Sequence, residues 1–338
     1  MAKAVKQAVD ANKTMPLPGV QHWFSTGCTV LDLALSNRLD GGVPAGRVIH
    51  VFGAGSTCKS VLACTTAGYA QRRGQFAHYL DVEQTLDTDF AKLFGLNVDD
   101  ASTLATGYPT TLEDLFDNHI KNILATKKDK PQFVAIDSIS ALPSVVETEE
   151  AMDKGSFGAT RAKQMSRAFR KYHFALANAG ITLFCIDQTR DAINSMFAKE
   201  VTSGGRALEF FSSVQIYLRH DSKILNNKDV PIGIWVKFRI DKNKVAPPLR
   251  EGRFKILFDY GIDDIASNLY FLSECQNGPQ NAKKKSTTIA FNGEEKKMST
   301  WINEIEENNL EETLRQEVYK TWQELYSNTE QRKPRVYE

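Results

Sequence analysis

At 338 residues the chain is long enough for about two domains, and 42% apolar with 25% charged residues is the balance of an ordinary globular protein. A net charge of +1 supplies no global field, so any affinity for nucleic acid must come from local patches. No apolar run approaches the roughly 20 residues of a membrane span. The first residues lack a signal-peptide core, and the five cysteines form no C-x-x-C pair; this predicts reduced thiols, no zinc site and a cytoplasmic protein.

Residues 2–12 predict a short helix, broken by Met15-Pro16-Leu17-Pro18-Gly19, that reads equally as a docking arm or a frayed end. Ser25-Thr26-Gly27 leads into a short apolar helix, Val30 to Leu35. A glycine-rich turn, 41–46, precedes a strand from Arg47 to Phe52. Then come Gly53-Ala54-Gly55-Ser56-Thr57-Cys58-Lys59-Ser60 and a helical segment, Lys59 to Arg73. A strand, a glycine-bearing turn and a helix form the context of a phosphate-binding loop. Backbone N–H groups wrap the phosphates and the helix N-terminus adds a positive end. Lys59 is then expected to reach the β/γ-phosphates, with the Ser60 hydroxyl on Mg²⁺. The pattern G-x-x-x-x-G-K-[ST] is broken at one place, where Cys58 stands for the last glycine. If that position needs a positive φ, a side chain there costs about 1–2 kcal/mol. A thiol at a helix N-terminus beside Lys59 is also expected to be acidic, and the fastest alkylated of the five.

Gly74 ends that helix and Gln75 to Leu80 alternates as a strand, with Asp81 and Glu83 just past its end. A helix from Thr88 to Phe94 is closed by Gly95, and a second helical stretch runs from Thr111 to Ala125. The strand Phe133 to Ile136 ends in Asp137-Ser138, and residues 143–158 read as a loop. A helix from Thr160 to Asn178 places Ala162, Met165, Phe169, Tyr172 and Leu176 on one face. Lys163, Arg167, Arg170 and Lys171 lie opposite, a stripe that composition alone assigns to an exposed helix face. Ile181 to Ile186 is a strand ending in Asp187-Gln188-Thr189-Arg190, followed by a loop from Ser195 to Gly205. Strands at Val214 to Leu218, Ile234 to Ile240 and Phe254 to Phe258 complete the sheet. Residues 276–286 read as a linker, Trp301 to Tyr326 as a helical stretch in a small terminal domain, and 332–338 as a disordered tail. The alternation predicts an α/β fold with a mainly parallel sheet covered on both faces. Ligands sit at the C-terminal ends of such strands. The phosphate loop, Glu83, Asp137 and Gln188 all fall there. Asp137 has the position of a Mg²⁺-orienting carboxylate, and Glu83 that of a group polarising the attacking water.

In this order the segments resemble the RecA recombinase family. The resemblance is carried by Phe24-Ser25-Thr26-Gly27, Leu31-Asp32-Leu33-Ala34-Leu35, Gly41-Gly42-Val43-Pro44-Ala45-Gly46-Arg47 and the phosphate loop. It continues through residues 80–87, Ile136-Asp137-Ser138, Asp187-Gln188-Thr189-Arg190, residues 203–208 and Lys242-Asn243-Lys244-Val245-Ala246-Pro247-Pro248, covering about residues 22–262. The lack of some bacterial features makes it similar to a phage-type, UvsX-like member, acting in the host cytoplasm. The resemblance implies an N-terminal arm at 1–35, a RecA-like P-loop NTPase core at 36–262 and a small α+β C-terminal domain with a tail at 263–338.

It further implies ATP and Mg²⁺ as cofactors, Lys59 and Ser60 as the phosphate and metal pair, and Glu83 as the catalytic glutamate. Asp87 and Phe90 would hold the adenine, and Gln188 would sense the γ-phosphate. Lys242 and Lys244 would reach a neighbouring subunit's ATP, so that hydrolysis requires a filament. Loops at about 150–158 and 195–205 would bind DNA, with Phe157, Met196 and Phe197 as wedges between base triplets. Lys163, Ser166, Arg170, Arg190, Ser203, Gly204, Gly205 and Arg206 would contact the DNA, most of them at its phosphates. The function implied is strand exchange on single-stranded, then homologous double-stranded DNA, by a helical homo-oligomer with single-strand-binding and loader proteins as further partners. A non-exchanging accessory protein and a hexameric helicase-type motor are the rival readings. Three departures stand beside Cys58. Asp187 replaces an asparagine and is expected to add charge near the γ-phosphate, Glu209 stands where bacterial members carry lysine, and the acidic bacterial tail is missing.

Overall fold

The protein is described by a computed structural model, over residues 19–126, 128–149, 158–191, 200–202, 205–277 and 288–327. The expectations for residues 2–12, Phe157, Met196, Phe197, Ser203, Gly204 and the tail lie outside them. The strands in chain order are β1 (Trp23–Phe24), β2 (Val43–Pro44), β3 (Val48–Gly53), β4 (Phe76–Asp81), β5 (Leu104–Gly107), β6 (Gln132–Asp137) and β7 (Ile181–Asp191). They continue with β8 (Glu200–Thr202), β9 (Val214–Leu225), β10 (Pro231–Asn243), β11 (Glu251–Leu257), β12 (Gly261–Asp263), β13 (Thr288–Phe291) and β14 (Glu294–Lys297). One sheet runs β12-β11-β10-β9-β3-β7-β6-β4-β5, with β8 paired to β7 at the side. From β9 to β5 the neighbours are parallel; from β9 to β12 they are antiparallel.

The central strands are buried on both faces, which is why they read as continuous apolar runs. Successive side chains go to opposite layers. Phe133 and Ala135 of β6, with Phe184 and Ile186 of β7, join the cluster built around Leu31, Leu62 and Phe238. Val134, Ile136, Leu183 and Cys185 join the other, with Phe116, Phe169 and Tyr172. The expected apolar face of the helix Gly158–Asn178 is the buried one: Met165, Phe169, Tyr172 and Leu176 all lie inside. The helix Lys59–Arg72 packs closely, since a Cβ on Gly68 would meet the Gly95 carbonyl oxygen at 2.1 Å.

Several elements differ from expectation. Residues 143–158 are not all loop, because Val145–Glu149 is helical. Glu147 N–H donates to Ser144 Oγ at 3.3 Å while Ser144 N–H donates to Glu147 Oε2, a capping box present in the sequence as Ser-Val-Val-Glu. The helical stretch 301–326 is two helices, Met298–Asn308 and Glu311–Ser327, because Asn309 adopts a left-handed φ of 54°. The strands β9 and β10 run on into a long hairpin, and β5 was not foreseen. A further helix, Asp264–Asn277, begins where Asp263 Oδ1 accepts the Ala266 N–H. The helix Glu311–Ser327 is tied to the first helix, Thr29–Ser36, and the turn after it: Trp322 Nε1 donates to Asn37 Oδ1 at 2.9 Å and Arg315 Nε to Thr29 Oγ1 at 3.2 Å. Among the described residues no helix is long and apolar enough to cross a membrane.

Candidate active site

The loop between β3 and the helix Lys59–Arg72 turns through two left-handed non-glycine residues, Ser56 (φ 58°) and Cys58 (φ 61°, ψ 32°). Lys59 folds back over the turn: its Nζ donates to Gly53 O at 3.0 Å and Ala54 O at 2.7 Å. Gly53 and Ala54 therefore present carbonyls to the lysine, whereas Gly55, Ser56, Thr57, Cys58, Lys59 and Ser60 line a cavity of about 740 Å³. Parallel pairing explains what meets them there. Gly53 is in register with Gln188 and Asp81 with Asp137, so the loop and both strand ends share one edge of the sheet. Glu83, Asp137 and Gln188 line the same cavity.

These side chains form one network. Ser138 Oγ donates to Glu83 Oε1 at 2.7 Å, and Gln188 Nε2 approaches the same oxygen at 3.4 Å. Tyr79 OH donates to Asp137 Oδ2 at 2.7 Å, and the Ser60 hydroxyl also hydrogen-bonds this carboxylate. Burial holds Asp137 above the usual carboxylate range, against the pull of those two donors. Burial lowers the Lys59 ammonium from its ordinary value, against the attraction of Asp137 and other nearby acidic groups. The site thus joins a cation, an oxygen-donor pair and a carboxylate held by a hydroxyl.

One expectation is corrected and one gains a partner. The left-handed φ at Cys58 is present, but the thiol is not acidic. Burial pushes it up to about 11, outweighing the neighbouring Lys59 charge. Asp187 is fully buried against His50, whose Nε2 lies 3.0 Å from Asp187 Oδ2; it does not line the cavity, but its charge does act on Lys59.

The remaining site residues fall in several places. Phe90 lines the cavity and is 40% exposed. Asp87 does not line it; it caps the helix Thr88–Leu93, accepting the Phe90 N–H at 2.9 Å. Lys242 and Lys244 lie away from this chain's own cavity. Lys242 Nζ donates to Glu209 O at 2.7 Å and Phe210 O at 3.1 Å, closing the C-terminus of the helix Gly205–Phe211. Lys163, Arg167 and Arg170 are exposed on one helix, with Ser166 half-buried between them; Lys171 leaves the stripe to pair with Asp117. Arg190 lies on β7 opposite Val201, and Gly205 and Arg206 open the helix Gly205–Phe211.

Tyr79, Ser138 and the far wall of the cavity were missed. That wall includes His220 and Lys223 of β9, Pro231 of β10 and Phe258, which stands on the same cavity as Phe90. Past Leu218 the strand runs through five consecutive polar residues, Arg219 to Lys223, so no alternation marked the wall; Tyr79 carried no signal, and Ser138 only its place beside Asp137.

The family model described as the RecA N-terminal domain matches residues 13–263. The Protein RecA of Chlamydia trachomatis serovar D is 38% identical over 240 residues, which is 71% of this chain and 65% of that relative. The Protein RecA of Chlamydia felis is 38% identical and that of Chlamydia caviae 37%, each over 71% of this chain and 66% of the relative. The matched part of the chain therefore spans about 65% of the length of these relatives.

Proposed function

The chain belongs to the RecA family, and we propose that it is an ATP-dependent DNA recombinase that assembles on single-stranded DNA and exchanges it into a homologous duplex. The observation that carries this reading is the convergence of the phosphate loop, Glu83, Asp137 and Gln188 on one cavity. The donor set fits a magnesium nucleotide: Ser60 and Asp137 offer neighbouring oxygens, the ligands a hard cation takes. Bound there, Mg²⁺ supplies charge neutralisation on the phosphates. The loop N–H groups and Lys59 bind the phosphates, and Phe90 and Phe258 flank the space for a base. Glu83, fixed by Ser138, orients and deprotonates the attacking water. Gln188, beside Glu83, registers whether the terminal phosphate is present.

Lys242 and Lys244, remote from their own chain's cavity, serve a neighbour's, so the helical filament completes the site. The exposed Lys163, Arg170 and Arg206 support binding to DNA phosphates, which carries affinity without reading sequence. Single-strand-binding and loader proteins, and a phage-type origin, belong to this reading. A second reading, a non-exchanging accessory protein with nucleotide as a switch, is favoured by one observation, the side chain at the left-handed Cys58.

The test is ATP hydrolysis with and without single-stranded DNA, imaged by negative stain and followed by strand exchange. DNA-stimulated hydrolysis, helical filaments and exchanged product are expected, and all three are lost in Lys59→Ala. Filaments without exchange would select the accessory reading; closed rings would defeat both.

A further inference from the structure

Tyr79 is an aromatic residue in the core strand Phe76–Asp81, and packing alone accounts for its ring. Packing does not account for its hydroxyl. The side chain is fully buried, yet its O–H points at a carboxylate and donates to Asp137 Oδ2 at 2.7 Å. The register places this contact: Tyr79 pairs with Ala135, so its neighbour strand ends two residues later at Asp137. From the other side the Cys64 thiol hydrogen-bonds the phenol. Cys64 and Ser60 both belong to the helix that follows the phosphate loop. Helix, β4 and β6 are thus laced together through Cys64, Tyr79, Asp137 and Ser60.

We propose that Tyr79 is a positioning residue for Asp137, fixing the rotation of that carboxylate from the buried side and so setting how strongly the Ser60–Asp137 pair takes Mg²⁺. This rests on the metal reading of Ser60 and Asp137 given above. A carboxylate only accepts, so each oxygen in a buried site needs a donor or a cation. Tyr79 holds Oδ2, which stops the group from swinging away from the cavity. A phenylalanine would fill the same space and leave that oxygen facing apolar neighbours. Partners of this kind behind metal-binding groups typically change metal affinity by roughly 10–100-fold when removed.

The experiment is a Mg²⁺ titration of ADP carrying a fluorescent ribose label, with the full chain and with Tyr79→Phe, in parallel with binding in EDTA. The variant is expected to need roughly ten-fold more Mg²⁺ for half-saturation, with unchanged binding in EDTA and a melting temperature lowered by only a few degrees. In an Asp137→Asn background the same substitution is expected to be silent, because the carboxylate it positions is gone. Superimposable Mg²⁺ curves would overturn the proposal. So would a loss equal with and without metal, or one that persists in Asp137→Asn, since either would mean a packing effect. A parent chain whose ADP binding ignores Mg²⁺ would instead overturn the metal reading itself. Mn²⁺ paramagnetic resonance on the same samples gives a readout independent of turnover.

Discussion

Cys58→Gly and Cys58→Ala, made side by side, separate strain from packing at the one broken position of the phosphate loop. The residue sits at φ 61° and ψ 32°, where an L side chain costs about 1–2 kcal/mol. Glycine removes that cost. It also loosens the unfolded chain, which costs about 0.4–1 kcal/mol. The side chain packs partly buried against the larger core cluster, and losing it costs roughly 1 kcal/mol. These terms nearly cancel, so Cys58→Gly is expected within about 1 kcal/mol of the parent, a shift of only ~2 °C in a chain of this size. Alanine keeps the strained backbone and loses the sulfur contact. It is expected to be less stable than the parent by roughly 1 kcal/mol, and less stable than glycine or level with it. Thermal melts of the apo chain measure this, and labelled-ADP release measures the loop. Glycine is expected to bring faster ADP release with little change in melting. An alanine variant clearly more stable than the glycine variant would refute the reasoning, because the strain would then lie elsewhere.

Other outcomes follow from the same structure. Burial raises the Asp32 carboxyl to about 7 against hydrogen bonds from Ser25 and Thr26. A carboxyl raised in the folded state contributes stability at low pH that is lost as pH climbs from about 4 to about 7; Asp32→Asn should flatten the melting temperature over pH 5–8, and an unchanged slope would contradict it. Cys58 and Cys275 are half-buried with thiols pushed up to about 11, while Cys28, Cys64 and Cys185 are buried. Alkylation followed by mass spectrometry should be slow at pH 7 for all of them, rise for Cys58 toward alkaline pH, and be suppressed there by magnesium nucleotide; rapid labelling at neutral pH would defeat this. His50→Ala removes a partner from the buried Asp187 and should cost at least about 2 kcal/mol in denaturant melts. Trp322→Ala should cost about 3–5 kcal/mol and, through Asn37 and the shared cluster, raise hydrogen exchange in the helix Thr29–Ser36 as well as in its own.

The parallel half of the fold was legible because its strands are apolar on both faces and end in polar residues that cannot continue the run. That regularity placed Glu83, Asp137 and Gln188 together before any coordinates. β5 was missed because Leu104-Ala105-Thr106-Gly107 is short and has only one β-branched residue. The hairpin of β13 and β14 turns through Asn292 (φ 50°) and Gly293 (φ 79°), an Asn-Gly signal that was present and unused. The partner of Asp187 was not legible for a different reason. Alternation says only that neighbours face opposite layers, and it could not say that His50, two strand positions before Phe52, would meet Asp187 across the β3–β7 pair. Likewise the Cys58 thiol looked acidic from its helix position and its lysine neighbour, both local features. The burial that reverses the outcome is a property of the assembled core.

On the proposed role of Gln188, the topology joins the cavity to the segment beyond it. β7 does not stop at the cavity edge: it continues from Gln188 through Thr189, Arg190 and Asp191, hydrogen-bonded to β8 at Thr202, Val201 and Glu200. Gln188 therefore shares a strand with Asp191, which pairs with Glu200 of β8. Three residues past β8 the helix Gly205–Phe211 begins, and Lys242 holds the carbonyls at its far end. On the proposed sensing role of Gln188, a shift of its side chain toward or away from Glu83 would be carried along β7 to its pairing with β8. The buried His50–Asp187 contact lies just before Gln188 and anchors that lever to β3, the strand that carries the phosphate loop. Loosening the anchor by His50→Ala should then weaken the dependence of DNA binding on nucleotide more than it weakens nucleotide binding itself. Equal losses in both would mean that the pair stabilises the fold without serving as the fulcrum.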